Sequence, residues 1–166
     1  MKALVTYFSR TGNTEKVAQA IHEGIVFVEK ELLPIKDLKD IKKYDLIFVG
    51  FPVQAHSLPG PVEKFVRSIP EGKKVAFFAT HGSLRGGEFA VTAFYYAISL
   101  ASKRRVLGTF GCRGKVKEAM IEKALKSPQD KYWAEEAQSA GRHPDEHDLE
   151  DASRWARWMV MKAGAQ

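Results

Sequence analysis

The sequence has 166 residues, of which 45% are hydrophobic and 28% are charged, and its formal net charge is +6. This length suits one domain with a real core, and no apolar run approaches the roughly 18 residues of a membrane span, so we expect a single domain over residues 1–166 and no membrane segment. The single cysteine, Cys112, excludes an internal disulfide and any multi-cysteine metal or iron–sulfur site.

The N-terminus resembles a strand and lacks the apolar segment and cleavage site of a secretory signal, so we expect a cytoplasmic protein. The basic residues are dispersed, and their densest cluster is only Lys103, Arg104 and Arg105. No aromatic-plus-basic signature and no zinc-finger spacing accompanies them, so we expect a solvated basic surface and no nucleic-acid partner.

Four near-continuous apolar runs predict strands that are buried on both faces of a parallel sheet. They cover residues 3–8, 45–51, 74–80 and 105–111, and a weaker fifth run covers 31–35. Between these runs, apolar residues repeat at helical spacing, as in Val17, Ile21 and Ile25, in the segment 61–68, and in Phe89, Ala93, Tyr96 and Leu100. The segment 38–43 is too short and charged for more than a helical turn. This alternation predicts an α/β fold with a three-layer, doubly wound parallel sheet.

Beyond the last predicted strand the chain has helical character. Ser127 and Pro128 are typical of a helix start and Gly141 of a helix end, so we predict an additional helix over residues 127–141. Pro144 and Asp145 then open a final helix. We expect one face of this helix to be buried, formed by Leu149, Ala152, Trp155, Ala156 and Met159.

The turn after the first predicted strand, here called the first loop, is rich in hydroxyl groups. It consists of Ser9, Arg10, Thr11, Gly12, Asn13 and Thr14. Open α/β sheets bind ligands at the carboxyl ends of their strands, and a helix N-terminus offers unpaired N–H groups with a partial positive charge. With the hydroxyls and the backbone freedom of Gly12, this loop suits a phosphate dianion. The alternative is that Thr11 or Asn13 simply caps the helix, but capping needs one such residue and not four.

Other phosphate-binding classes lack their defining residues. The motifs G-x-x-x-x-G-K-[ST] and G-x-G-x-x-G are both absent. Ser9 and Arg10 stand where a phosphoacceptor receiver domain needs paired acidic residues. The first loop also has no cysteine, which a small tyrosine phosphatase requires.

The first loop resembles the T/S-x-T-G-x-T phosphate-binding motif of the flavodoxin family, which Ser9, Thr11, Gly12 and Thr14 match. In that family the motif holds the phosphate of FMN, and the loops after the third and fourth strands flank the flavin ring. The resemblance covers roughly residues 1–112. It implies FMN as the cofactor and a five-stranded sheet in the order 2-1-3-4-5.

Two later stretches are similar to the ring-flanking loops of that family. GFPVQAHSLPGPVEKF follows the 45–51 strand, and ATHGSLRGG includes the end of the 74–80 strand. The resemblance assigns ring contacts to a second loop, formed by Pro52, Val53, Gln54, Ala55 and His56, and to a third loop, formed by Thr80, His81, Gly82 and Ser83.

The chain also departs from typical flavodoxins. Neither ring-flanking loop contains the Trp or Tyr that flavodoxins commonly stack on the ring, and the chain is basic where flavodoxins are typically acidic. Residues 53–58 contain no glycine, which family members that stabilise one-electron-reduced flavin often place beside N5. The predicted 127–141 helix is an addition to the minimal fold.

Three functions follow from these residues and from the resemblance. The favoured one is an FMN electron carrier between a reductase and a partner enzyme, which needs no catalytic side chain. The second is an FMN-dependent NAD(P)H reductase of a small aromatic or quinone-like substrate, with His81 or His56 as proton donor. The third is a non-redox phosphate- or nucleotide-binding module. We therefore expect the partner to be a redox protein or a small-molecule electron acceptor.

The remaining reactive residues favour structural roles. We expect Cys112 to be a packed residue and not a redox thiol. His143 and His147 are four residues apart, but nothing nearby completes a soft metal site, so we expect no metal. Arg113 and Lys115 either contact a ligand or face water. We expect the tryptophans to lie in the core or on a partner surface, not on a cofactor: Trp133, Trp155 and Trp158.

Overall fold

The computed structural model of the protein describes residues 1–165. At its centre is a parallel sheet of five strands: β1 (Lys2–Tyr7), β2 (Glu29–Pro34), β3 (Leu46–Pro52), β4 (Lys74–His81) and β5 (Arg105–Arg113). The strand order is β2-β1-β3-β4-β5. This confirms the predicted fold class and strand order, and it brings the carboxyl ends of all five strands to one edge.

Helices cover both faces of the sheet, as the α/β pattern predicts. They are α1 (Asn13–Gly24), α2 (Gly60–Ser68), α3 (Glu88–Leu100), α4 (Glu118–Leu125), α5 (Lys131–Gln138) and α6 (Glu146–Gly164). One core lies under α1 and α6 and a second lies under α2 and α3. The predicted inner face of α6 is confirmed, since Ala152, Ala156 and Met159 are buried there.

The strand at the edge of the sheet is less buried than predicted. The 105–111 run was expected to be covered on both faces, but within β5 only Cys112 is fully buried. β5 pairs with β4 alone, so it lacks a neighbouring strand on its other side.

The segment 38–43 forms no more than a turn, as expected, in which the N–H of Tyr44 donates to the carbonyl oxygen of Ile41 at 3.4 Å. A short 3₁₀ helix precedes it at Ile35–Asp37. The predicted helix over 127–141 is observed as the shorter α5, Lys131–Gln138, and the helix α4 that precedes it was not predicted. Residues 127–130 form the turn between them, so Ser127 is not a helix cap, and Asp130 stands at that position of α5. Ile121, Ala124, Ala134 and Ala137 form a small separate core between the two helices, which we call the α4–α5 hairpin.

None of the helices within residues 1–165 combines the length and the apolar character that crossing a membrane requires.

Candidate functional site

A cavity of about 680 Å³ opens at the carboxyl edge of the sheet. The loops after β1, β3, β4 and β5 meet there, as expected for the ligand-binding edge of a doubly wound sheet. Most of the residues predicted for the site line this cavity: Arg10, Thr11, Asn13, Thr14, Pro52, Val53, Gln54, Ala55, Thr80, His81, Gly82 and Ser83. Ser9, Gly12 and His56 lie in the same loops but are outside its lining.

The first loop presents an uncapped helix N-terminus to the cavity. Gly12 occupies the N-cap position of α1 with a φ of 91°, a conformation that glycine adopts without strain, and no side chain caps the helix. The capping role considered for Thr11 or Asn13 is therefore wrong. Ser9 instead stabilises the turn, since its Oγ accepts a hydrogen bond from the N–H of Gly12 at 3.1 Å. The first N–H groups of α1 remain available to an anion.

Hydrogen bonds tie the first loop to the rest of the site. The hydroxyls of Thr14 and Thr80 lie 2.9 Å apart, and both side chains are buried. The side-chain amide of Asn13 donates to the carbonyl oxygen of Lys115 at 2.9 Å, which fixes the segment after β5 beside the start of α1. Three loops from distant parts of the sequence are thus held in one arrangement.

The second loop is a tight hairpin between Gln54 and Ser57, which exchange backbone hydrogen bonds of 3.0 and 2.9 Å. Its two central residues, Ala55 and His56, have positive φ values of 45° and 64°. Turns with positive φ at both central residues favour glycine or asparagine there, but this loop contains neither residue at those positions. The His56 ring stacks on Phe89 at a centroid distance of 3.9 Å and so braces the hairpin against α3.

The third loop contains a buried histidine. His81 is 6% exposed, and its Nδ1 lies 3.1 Å from the carbonyl oxygen of Ser83. A carbonyl only accepts hydrogen bonds, so Nδ1 carries the proton. Burial, helped by the charges of Arg113 and Arg85, lowers the pKa of His81 below its usual value despite the hydrogen bond to Ser83. The ring is therefore neutral at pH 7, with its proton directed toward Ser83.

A charged cluster anchors the third loop to α6. Asp148, only 2% exposed, accepts a hydrogen bond from Arg85 at 2.5 Å and lies 2.5 Å from Nδ1 of His143. The N–H of Asp145 also donates to it, at 3.0 Å. Burial acts to raise the pKa of Asp148, but these three hydrogen bonds outweigh burial and the pKa lies below its ordinary value.

The α4–α5 hairpin adds a wall to the cavity that the sequence does not predict. That wall includes Val116, Lys117, Met120, Lys123, Ala124, Ser127, Asp130 and Trp133. Trp133 packs against the small core of the hairpin, in line with the expectation, and it also lines the cavity. Lys115 lines it as well, whereas Arg113 donates to the backbone of the third loop. Four cations and one carboxylate line this cavity: Arg10, Lys115, Lys117, Lys123 and Asp130.

A family model described as the flavodoxin domain matches residues 4–157. The flavodoxin-like domain-containing protein BilS of Clostridioides difficile is 33% identical over 178 residues, covering 98% of each chain. A solved flavodoxin from the domain Archaea has a TM-score of 0.66 at 22% identity and covers 99% of both chains. A flavoprotein from Lactobacillus acidophilus, solved in complex with FMN, has a TM-score of 0.55 at 20% identity and covers 74% of this chain and 97% of that one. This chain belongs to the flavodoxin family.

Proposed function

We propose that this protein binds FMN and carries electrons between a reductase and a partner enzyme. The observation that carries the proposal is the continuity of one cavity. One end holds the uncapped N-terminus of α1, and the walls include both ring-flanking loops. The cavity thus has a polar end at α1 and walls formed by the ring-flanking loops, and a phosphate monoester attached to a flat ring would fit both parts.

The residues present fit FMN on physical grounds. The volume of about 680 Å³ lies within the roughly 300–1,000 Å³ that is common for cofactor sites. The N–H groups at the start of α1 and the hydroxyls of Thr11 and Thr14 suit a phosphate dianion, and Arg10 adds a positive charge nearby. Pro52 and Val53 offer apolar surface to a ring.

FMN, when bound, supplies the redox chemistry, and the protein supplies binding, orientation and electrostatics. The first loop would hold the phosphate. The second and third loops are joined by the hydrogen bond from the N–H of Val53 to the carbonyl oxygen of Thr80, at 2.9 Å, which fixes the two loops relative to each other at the edge of the cavity. The four cations that line the cavity would attract a negatively charged ligand and favour any added negative charge on it.

The two histidines favour a carrier over a reductase. His81 is neutral and directs its Nδ1 proton to Ser83. His56 is outside the cavity lining and stacks on Phe89, which is part of it. Neither arrangement supports proton donation to a substrate, and an electron carrier needs no such group. A reductase remains the second candidate, because the cavity extends from the ring-flanking loops to Lys123 and Trp133 on the α4–α5 hairpin. That extension offers room for a second molecule.

Titration of the purified protein with FMN tests the binding site. We expect wild-type protein to bind FMN and Thr11→Ala/Thr14→Ala to bind at least about 100-fold more weakly, since two hydrogen bonds to a charged group are lost. The double variant of two exposed threonines, Thr92→Ala/Thr109→Ala, is the matched control and should bind like wild type. Equal affinity of the first double variant and wild type would contradict the assignment of the first loop.

Anaerobic reduction separates the two functions. A carrier is expected to take up electrons from dithionite in two separate one-electron steps, and NADH or NADPH alone should leave its blue absorbance band unchanged. Rapid bleaching of that band by either nucleotide would instead establish the reductase.

A further inference from the structure

The cavity contains a large aromatic side chain that the ring-flanking loops do not provide. The second and third loops contain neither Trp nor Tyr. Trp133, half-buried on α5, lines the same cavity as Val53 of the second loop and Gly82 of the third. An indole ring is therefore available to a flat ligand held between these loops.

Trp133 lies against the backbone of the third loop. A Cβ atom built on Gly82 would lie 3.6 Å from Cζ2 of Trp133, which is ordinary van der Waals contact. The same Cβ would lie only 2.5 Å from Cγ2 of Val116, so a larger residue at this position would clash. The absence of a side chain at Gly82 thus allows the hairpin to approach the loop that flanks the ring.

Hydrogen bonds hold α5 in this position. The guanidinium of Arg113 donates to the carbonyl oxygens of Gly82, at 3.3 Å, and of Glu136, at 2.7 Å. The carboxylate of Glu136 accepts from the N–H of Leu84 at 3.1 Å. These bonds join α5 to the loop after β4 at Glu136, three residues after Trp133, and so hold the helix that carries the indole beside the ring-flanking loops.

We propose that Trp133 stacks on the flavin ring, and that the α4–α5 hairpin exists in part to deliver this aromatic side chain. The inference rests on the proposed binding of FMN. Offset stacking of two flat aromatic systems is favourable beyond the area that it buries. An indole against one face of the ring also covers that face against a small-molecule substrate, so electrons leave through the ring edge, as a carrier requires.

The test compares bound FMN in wild type, Trp133→Leu and Trp133→Phe. Indole quenches flavin emission on contact by electron transfer to the excited ring, and neither Leu nor Phe does so. We expect FMN emission to be strongly quenched in wild type and to rise several-fold in both variants. The dissociation constant should rise about three- to tenfold in Trp133→Leu, because stacking is lost. Trp133→Phe preserves more of the hairpin packing, so it decides the result if the Leu variant does not fold.

Trp158→Phe is the matched control, since Trp158 is 57% exposed on α6 and does not line the cavity. It should leave both emission and affinity at their wild-type values. Emission that stays quenched in a folded Trp133→Phe variant with wild-type affinity would overturn the role of Trp133 while leaving FMN binding intact. Failure of the wild-type protein to bind FMN would overturn both proposals.

Discussion

Burial decides the chemistry of the only cysteine. Cys112 is fully buried at the end of β5, and this burial, with a smaller contribution from the charge of Asp148, raises the pKa of the thiol to about 12. A thiol that stays protonated at physiological pH is a poor nucleophile. The position supports the prediction that Cys112 is a packed residue.

We therefore predict that Cys112 does not react with a disulfide reagent at pH 8 in the folded protein. Addition of denaturant should release one reactive thiol per chain, and a colorimetric thiol assay measures both states. Cys112→Ala should bind FMN like wild type. Rapid labelling of the native protein would show that the β5 end opens easily.

The neutral state of His81 has a consequence for stability. Its pKa is lowered chiefly by burial, so the unfolded chain, in which histidine titrates near ~6.5, takes up the proton first. The free energy of unfolding should therefore decline as the pH falls below ~6.5, by at most about 1.4 kcal/mol per pH unit from this group. Urea unfolding at several pH values should show a shallower decline in His81→Gln. Identical slopes for both proteins would contradict the assignment.

At the scale of elements, the sequence predicts those features that depend on local pattern. The hydroxyls of the first loop, the apolar strands and the inner face of α6 all produce a signal within a few residues. The position of Trp133 produces no such local signal, because it depends on hydrogen bonds from Arg113 to the third loop and to Glu136, which are distant in sequence. The start of α5 at Lys131 also lies later than the sequence predicts. Ser127 and Pro128 resemble a helix start, but both lie in the turn between the helices.

Asp148 is the link between two elements, since it joins α6 to the loop that flanks the ring. We predict that Asp148→Asn lowers the free energy of unfolding at pH 7 by about 2 kcal/mol, because hydrogen bonds to a buried charge are weakened. The pKa of Asp148 is depressed in the folded state, so the stability that it contributes is present above pH ~4 and is lost as the pH falls further. Chemical unfolding should show that the difference in unfolding free energy between wild type and Asp148→Asn shrinks as the pH falls below ~4.

Asp151→Asn is the control for this prediction. Its side chain is 43% exposed and lies 3.7 Å from the same Arg85 guanidinium, so an exposed pair of this kind should contribute less than about 1 kcal/mol. Equal losses in Asp148→Asn and Asp151→Asn would show that burial of Asp148 adds nothing to the link.

At the scale of the whole molecule, the strand order could be predicted from the alternation of strands and helices and from the family resemblance. The extent to which the edge strands are buried could not be predicted in this way. β5 has an apolar sequence like that of the central strands, yet as an edge strand it is mostly only partly covered. The α4–α5 hairpin lies beyond roughly residue 112, where the resemblance seen in the sequence ends, although the family model extends to residue 157. The hairpin supplies part of the lining of the cavity. The stability of the molecule should accordingly depend on what fills that cavity.

A ligand that binds only the folded state raises its stability, by about 2.7 kcal/mol at 100 times the dissociation constant. For a chain of this size, each kcal/mol shifts the melting temperature by about 2–4 °C, so FMN at that concentration should raise it by roughly 5–10 °C. Riboflavin has the same ring without the phosphate, so at equal concentration it should produce a much smaller shift. In Thr11→Ala/Thr14→Ala, the shift with FMN should fall toward the riboflavin value, because the first loop no longer distinguishes the two ligands. Thermal melts followed by circular dichroism measure all four combinations, and equal shifts for FMN and riboflavin in the wild-type protein would contradict a phosphate site at the start of α1.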